Sequence, residues 1–152
     1  LKLDVQGAEL LILKNAPKIL KNCLIIHTEV EFLEMYKKQP LFSDIEHFLR
    51  KKGFILHNFH TLDRRMVSPL ANPNNEFDGL NQVLFADAVF IKDFTKLYDF
   101  SRLQLLKYCI ILHDIYKSFD IVLRTLFFID NKFETNYANI YSVVLNSNKS
   151  TG

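Results

Sequence analysis

Carboxylates at the boundaries between strands and helices are the side chains of this sequence best suited to chemistry. Asp4 lies in LKLDVQGAE, where a short apolar segment gives way to helix formers, and Glu29 lies near the end of the apolar run NCLIIHTEVEF. In an open parallel sheet, ligands bind outside the carboxyl ends of the strands. We therefore expect Asp4 and Glu29 to reach one crevice if their strands are neighbours. The alternative for both residues is a solvated strand end that is hydrogen-bonded to a loop.

The segments around these acids have the patterns of alternating strands and helices. Residues 1–5 and the run NCLIIHTEVEF are apolar enough for strands, the second of them buried on both faces. The stretch AELLILKNA consists of good helix formers. Glu9 starts this helix, where negative charge suits the helix dipole, so capping is an alternative to chemistry for this residue. Pro17 can open a short second turn over Lys18–Lys21.

The segment LFSDIEHFLRKKGF carries the clearest local helix signal in the chain. Ser43 is the predicted N-cap, and Glu46 follows three residues later to complete a capping box. Gly53 lies where a left-handed C-terminal cap belongs. A strand over Phe54–Phe59, a long polar loop over Asp63–Gly79 and the strand NQVLFADAVFIKD are predicted to follow.

The order strand, helix, strand, helix, strand predicts an α/β fold with a mostly parallel sheet over residues 1–93. After Asp93 the composition shifts towards helix formers. Ser101 can cap the helix RLQLLKYCIILHDIYK, and DIVLRTLFFIDNKF has the pattern of a second helix. Residues 94–152 are therefore predicted to form a helical C-terminal extension.

Other polar residues have weaker patterns, and a structural role is the expected one for most of them. His57 and His60 are three residues apart on a predicted strand, which would place them on opposite faces and make them a poor metal pair. Asp87 lies inside an apolar strand and needs a partner if it is buried. Arg64 and Arg65 could clamp an anionic substrate, with a solvated pair as the alternative.

Composition and missing motifs argue against several classes of protein. The chain has 19 basic and 17 acidic residues, so there is no electrostatic case for nucleic acid. No apolar run approaches the ~20 residues of a membrane helix. Cys23 and Cys109 lie in apolar stretches without the spacing of zinc ligands, which favours reduced thiols and a cytoplasmic location. The four glycines form no glycine-rich loop, and neither G-x-S-x-G nor H-E-x-x-H occurs.

Three blocks of the sequence resemble one known family. They are LKLDVQGAELLILKNA, then TEVEFLEMYKKQPLFSDIEHFLRKKGF, then NQVLFADAVFIK. In the same order, these blocks are similar to motifs of the FkbM-type S-adenosylmethionine-dependent methyltransferases. That family has a strand ending in K-[IL]-D-[VI]-[EQ]-G-A-E, a strand ending in E-V, the pattern Y-x-x-Q-P-L-F, and a late strand Q-x-x-x-x-D-x-[LV]-F. The resemblance covers about Leu1 to Lys92.

The resemblance implies a Rossmann-like class I methyltransferase fold, a seven-stranded sheet whose last strand is antiparallel. Residues 1–5 would be the fourth strand, and residues 1–93 the C-terminal part of the domain. The glycine-rich loop and the acid that binds the cofactor ribose would then lie upstream, so this chain alone is expected to bind the cofactor weakly or not at all. The implied activity is transfer of a methyl group from S-adenosylmethionine to a hydroxyl of a sugar or other small metabolite.

The resemblance also implies roles for individual residues. Asp4 and Glu29 would be catalytic, with Asp4 beside the methyl group and Glu29 on the acceptor side. Asp4, Gln6 and Gly7 would contact the cofactor, and no metal ligand is expected. The implied partner is a small hydroxyl-bearing acceptor, and no nucleic acid or membrane is expected. A sheet edge left open beside residues 1–5 would favour self-association.

Two other functions are compatible with these residues. A non-catalytic binding or scaffold module could retain this half-sheet without a cofactor site. A carboxylate-metal hydrolase could use Asp4 and Glu29, although the sequence lacks the further ligands of two-metal sites.

Overall fold

The computed structural model describes residues 1–75 and 77–149, without the side chains of residues 148 and 149. The chain forms two compact units, Leu1–Asp93 and Phe94–Gly152. No helix among the described residues has the length and apolar character needed to cross a membrane. The assignment of each unit to part of a methyltransferase stays a prediction.

Strands and helices alternate in the first unit. Its elements are β1 (Lys2–Leu3), α1 (Glu9–Asn15), α2 (Pro17–Asn22), β2 (Ile25–Glu31), α3 (Phe42–Lys51), β3 (Phe54–Arg64) and β4 (Val83–Lys92). The predicted mixed α/β character is confirmed. Strand β3 is longer than the sequence predicted, so the loop before β4 covers residues 65–82.

The four strands form one mixed sheet in the order β1-β2-β4-β3. Strands β1 and β2 are parallel, and β4 is antiparallel to both β2 and β3. Strands β1, β2 and β3 run in one direction and the last strand, β4, runs against them, as the resemblance implied. Because β4 lies between β2 and β3, two of the three hydrogen-bonded pairs are antiparallel, and the sheet is mixed rather than mostly parallel. Parallel neighbours need a long crossover, usually a helix. The described part of loop 65–82 has no helix, and the chain returns beside β3 in the opposite direction.

All three helices of this unit pack against one face of the sheet. The core of that face joins buried side chains of β2 and β4 to the apolar sides of the helices, among them Leu10, Leu13, Leu20, Ile26, Val30, Ile45, Leu49, Ala86, Ala88 and Phe90. Full burial of one Leu or Ile contributes roughly 1.5–3 kcal/mol. This core therefore anchors the helices and fixes where the ends of β1 and β2 lie.

Helix α3 ends as predicted but begins at a different residue. Gly53 follows its last turn with a φ of +78°, the left-handed geometry expected of a C-terminal glycine. The predicted N-cap, Ser43, is wrong, because the helix begins at Phe42 and Leu41 is its N-cap. The Leu41 N–H donates to the Asp44 carboxylate at 2.9 Å, so Asp44 takes the role expected of Glu46. The Leu41 backbone is extended, which lets the acid three residues later reach back to it.

The described part of the second unit, residues 94–149, contains three helices rather than the two that were predicted. They are α4 (Arg102–Asp114), α5 (Phe119–Phe133) and α6 (Tyr137–Lys149). Ser101 caps α4 as predicted, because its hydroxyl accepts from the Gln104 N–H at 3.3 Å and its own N–H donates to the Gln104 side chain at 3.0 Å.

The start of α6 is stabilised by a residue that lies in α5. The Asp130 carboxylate accepts from the N–H groups of Tyr137 and Ala138, each at 2.8 Å, and from the Thr135 hydroxyl at 2.6 Å. Burial alone would raise the pKa of Asp130, but these hydrogen bonds outweigh it and lower the pKa. Helix α6 was missed because its cap comes from seven residues upstream and leaves no local capping signal.

Candidate functional site

The loop between β1 and α1 is wrapped around the carboxylate of Glu9. This side chain is 1% exposed, and it accepts hydrogen bonds from the N–H groups of Val5 at 2.9 Å and Gly7 at 2.8 Å. Gln6 and Gly7 have φ values of +51° and +99°, which turn the chain sharply after Asp4. Glu9 therefore holds the preceding loop rather than capping the free N–H groups of its own helix.

Gln39 closes the other side of this loop. Its side-chain oxygen accepts from the N–H groups of Met35 at 3.0 Å and Tyr36 at 3.2 Å. Its Nε2 lies 3.0 Å from the position that a Cβ on Gly7 would occupy. Glycine at position 7 is thus required both by its positive φ and by the close approach of the Gln39 amide. Two blocks of the sequence resemblance, DVQGAE and YKKQPLF, meet at this contact.

Asp4 and Glu29 lie near each other beside the last residue pair of two parallel strands. Leu3 pairs with Thr28, Asp4 and Glu29 are the residues that follow this pair, and Glu29 is close enough to Asp4 for the Asp4 charge to raise its pKa. Asp4 is exposed. Burial raises the pKa of Glu29, and the nearby carboxylates of Asp4 and Glu9 raise it further. The structure therefore brings the two predicted site residues together, and their catalytic roles stay a prediction.

A further acid, Glu31, lies two residues along β2 and was not identified from the sequence. It has no exposed surface, and neither of its carboxylate oxygens has a hydrogen-bond partner. Burial, followed by the negative charges of Glu9 and Glu29, raises the pKa of Glu31 to about 7. The alternation of acids in TEVEF was the available signal, because residues two apart on a strand share a face.

Asp87 has the partners that its position in an apolar strand required. The Thr61 hydroxyl donates to its carboxylate at 3.2 Å, and His27 Nε2 lies 3.5 Å from the other carboxylate oxygen. Burial lowers the pKa of His27, although the Asp87 charge opposes this shift. His27 is therefore neutral near pH 7, and its contact with Asp87 is a polar contact rather than a full ion pair. Asp87 is 25% exposed, so the prediction made for a buried Asp87 is not tested, although the residue has these partners.

The two histidines of β3 lie at irregular positions of the sheet, and the His60 ring centroid is 5.6 Å from that of His27. The pairing of β3 shifts between Leu56 and Asn58 and again between Phe59 and Thr61, so the alternation that separated His57 from His60 is not kept. The irregular positions are the two histidines themselves, and simple strand spacing cannot assign their faces.

Arg65 and Cys109 have surroundings that argue against reactive roles. The Arg65 guanidinium donates to the carbonyls of Arg64 at 2.8 Å and Phe77 at 3.2 Å, which supports a structural role for the loop arginines. Burial raises the pKa of the Cys109 thiol to about 12, so it is a poor nucleophile near neutral pH. Within residues 1–75 and 77–149, no three His, Cys, Asp or Glu side chains are grouped so that they could hold a metal.

Comparison with known protein families gives one match. Residues 1–56 match the model described as the methyltransferase FkbM domain. The comparisons with curated proteins and with solved structures found no match. The matched segment runs from β1 into β3 and includes Asp4, Gly7, Glu29 and Gln39, whereas the later block NQVLFADAVFIK lies outside it. The N-terminal part of this chain, residues 1–56, thus matches the methyltransferase FkbM domain, and the resemblance inferred from the sequence is confirmed there.

Proposed function

We propose that this chain is part of an S-adenosylmethionine-dependent methyltransferase that methylates a hydroxyl group of a sugar or other small metabolite. The observation that carries the proposal is the placement of Asp4 beside Glu29 within the segment that matches the FkbM domain. The strand directions support a Rossmann-like sheet. Strands β1, β2 and β3 run in one direction, and the last strand, β4, runs against them. In this proposal residues 1–93 are the C-terminal part of the domain and residues 94–152 are a helical extension.

The acidic crevice suits a positively charged methyl donor. Bound S-adenosylmethionine would supply an electrophilic methyl group on a sulfonium, and the carboxylates of Asp4 and Glu29 complement that charge. The turn at Gln6 and Gly7 brings backbone close to the same place, which supports a cofactor contact there.

Asp4 and Glu29 have distinct roles in the proposed reaction. The exposed Asp4 carboxylate would orient the acceptor hydroxyl and accept its proton, and bound S-adenosylmethionine would supply the methyl group and leave as the neutral thioether. Glu29 lies on the acceptor side and holds the substrate in line with the methyl group. Burial and the neighbouring carboxylates of Asp4 and Glu9 raise the pKa of Glu29.

Methyl transfer is tested with radiolabelled S-adenosylmethionine and a panel of neutral sugars. The chain is assayed as it stands and again after extension by any coding sequence that precedes Leu1. We expect transfer in the extended protein and a loss of about 10²-fold in kcat in Asp4→Asn, with nearly unchanged cofactor affinity. Asp44→Asn is the matched control, because the Asp44 carboxylate has a structural role and accepts a hydrogen bond from the backbone at the start of α3. Unchanged turnover in Asp4→Asn would exclude Asp4 from the mechanism.

A non-catalytic binding or scaffold module is the second candidate function. The observation that favours it is the lack of a glycine-rich loop among the four glycines of this sequence. Calorimetry with S-adenosylmethionine on the extended protein separates the two functions, because only the methyltransferase requires binding. The hydrolase alternative is not proposed, since the described residues offer no group of three metal ligands.

We also propose a cytoplasmic location and self-association through the outer edge of β1. Strand β1 is the end strand of the sheet, and an unpaired edge can accept another strand. Cys23 and Cys109 are free thiols, which suits a reducing compartment. The near balance of charge gives no reason to propose nucleic acid as a partner. Analytical ultracentrifugation would show a concentration-dependent dimer if the edge is used.

A further inference from the structure

Two buried polar side chains beside the crevice have atoms without hydrogen-bond partners. Glu31 has no exposed surface, and both of its carboxylate oxygens are unmatched. Gln39 is 7% exposed, and its Nε2 is unmatched although its oxygen accepts two hydrogen bonds. More than about nine in ten buried polar groups in folded proteins have a partner. These atoms therefore identify a place where a polar ligand would recover hydrogen bonds that the fold leaves unmade.

Both side chains lie next to the loop between β1 and α1, which follows Asp4. The Gln39 amide is directed at Gly7, where its Nε2 comes within 3.0 Å of the Cβ position. Glu31 lies close enough to Glu9 for that carboxylate to perturb its titration, and Glu9 binds the Gly7 N–H at 2.8 Å. Glu29, the neighbour of Asp4, is two residues from Glu31 on the same strand. The unmatched atoms thus adjoin the predicted catalytic pair.

The types of these atoms restrict the group that they can bind. The Gln39 Nε2 only donates, and a carboxylate at position 31 accepts. A hydroxyl satisfies both, because it donates one hydrogen bond and accepts others. An ammonium group cannot accept from Gln39. An anionic group would be repelled by Glu9 and Glu29, whose negative charges already act on Glu31.

We propose that Glu31 and Gln39 form a second polar subsite that binds a hydroxyl of the acceptor next to the hydroxyl that is methylated. This inference rests on the proposed function for its choice of acceptor, and it adds a substrate class to it. The acceptor is a neutral compound with at least two hydroxyl groups, and a uronic acid or sugar phosphate is rejected. Glu31 and Gln39 are binding and positioning residues, whereas proton transfer belongs to Asp4.

The experiment measures sugar binding to the full chain without cofactor, by saturation-transfer NMR and titration. The probes are methyl glucoside and methyl glucuronide, which share a ring and differ in a carboxylate. We expect the neutral probe to bind and the anionic one to bind at least about tenfold more weakly. Glu31→Gln should weaken binding of methyl glucoside about tenfold, because an amide replaces the charged acceptor. Glu34→Gln is the matched control, since Glu34 is an exposed acid in the segment that follows β2.

A second variant tests the donor. Gln39→Glu keeps an oxygen for the Met35 and Tyr36 N–H groups but replaces the donating Nε2, and circular dichroism confirms that the variant is folded. We expect this variant to lose the neutral probe. No binding of methyl glucoside by the wild-type chain, or equal binding by wild type and Glu31→Gln, would overturn the subsite and indicate a structural water between these groups.

These outcomes are separable from failure of the proposed function. Binding that depends on Glu31, without methyl transfer in the extended protein, would support the subsite in a non-catalytic module. Methyl transfer with an acceptor KM that is unchanged by Glu31→Gln would support the methyltransferase and overturn the subsite.

Discussion

Replacement of Glu31 by Gln should stabilise the protein at alkaline pH and flatten the pH dependence of its stability. Glu31 has no exposed surface, and its pKa rises from 4.5 to about 7 when the chain folds. Between these values the folded state keeps a proton that the unfolded state has released. The free energy of unfolding therefore falls as the pH rises from about 4.5 to about 7, and above that the carboxylate is buried in its charged form.

The size of the effect follows from the two pKa values. Each unit of difference corresponds to about 1.4 kcal/mol, so the change from 4.5 to about 7 amounts to about 3 kcal/mol. Glutamine has nearly the same shape and no charge at any of these pH values. Glu31→Gln should therefore match the wild type near pH 4.5 and exceed its stability by up to about 3 kcal/mol near pH 8.

Urea denaturation followed by far-ultraviolet circular dichroism, repeated between about pH 5 and about pH 8.5, measures this difference. Glu34→Gln is the control, because it removes the same charge from an exposed position near the same strand. It should change stability by no more than about 0.5 kcal/mol at any of these pH values. If Glu31→Gln keeps the wild-type slope, or destabilises the protein near pH 8, the carboxylate is stabilised by donors and the reasoning is wrong.

Three further substitutions test local features of the two units. Gly7→Ala should destabilise the first unit by about 1–3 kcal/mol, because an alanine would combine a φ of +99° with a Cβ 3.0 Å from Gln39. Gly53 has a φ of +78° and no atom within 4 Å of the Cβ position, so Gly53→Ala should lower the free energy of unfolding by only about 1 kcal/mol. Thermal denaturation compares the two variants. Equal losses of stability would exclude the Gln39 contact as a cause. Asp130→Asn should weaken the start of α6 by about 1 kcal/mol, seen as faster amide exchange in that helix. Because the pKa of Asp130 is lowered, the wild type should lose this contribution to stability as the pH falls below about 4. If amide exchange in α6 responds neither to Asp130→Asn nor to the fall in pH, Asp130 does not cap this helix.

Local sequence patterns were sufficient to predict those features that depend only on residues close together in the sequence. The strand β2, the glycine end of α3 and the Ser101 cap of α4 each depend on residues within a few positions, and the sequence predicted them. Asp4 and Glu29 could also be placed, because adjacent parallel strands bring their carboxyl ends to one edge. Residues 1–56, which contain the first two of the three sequence blocks, match the FkbM domain.

The remaining features depend on groups that are distant in the sequence. The direction and central position of β4 follow from a loop that reverses the chain. Alternation of hydrophobic residues is the same for either strand direction, so only the family resemblance implied that the last strand is antiparallel. Helix α6 takes its cap from Asp130, seven residues before its first turn.

By itself, the sequence determined the location of most strands and helices, although not of α6, and it showed that an acid follows β1 and that acids occur in β2. Only the tertiary structure decided that Gln39 closes on Gly7 and that Glu31 is buried among like charges. Burial and charge proximity are properties of the packed chain, because they depend on every element that covers a side chain. An acid in a strand therefore has an ordinary pKa or one near 7 according to contacts that its neighbours in the sequence do not specify.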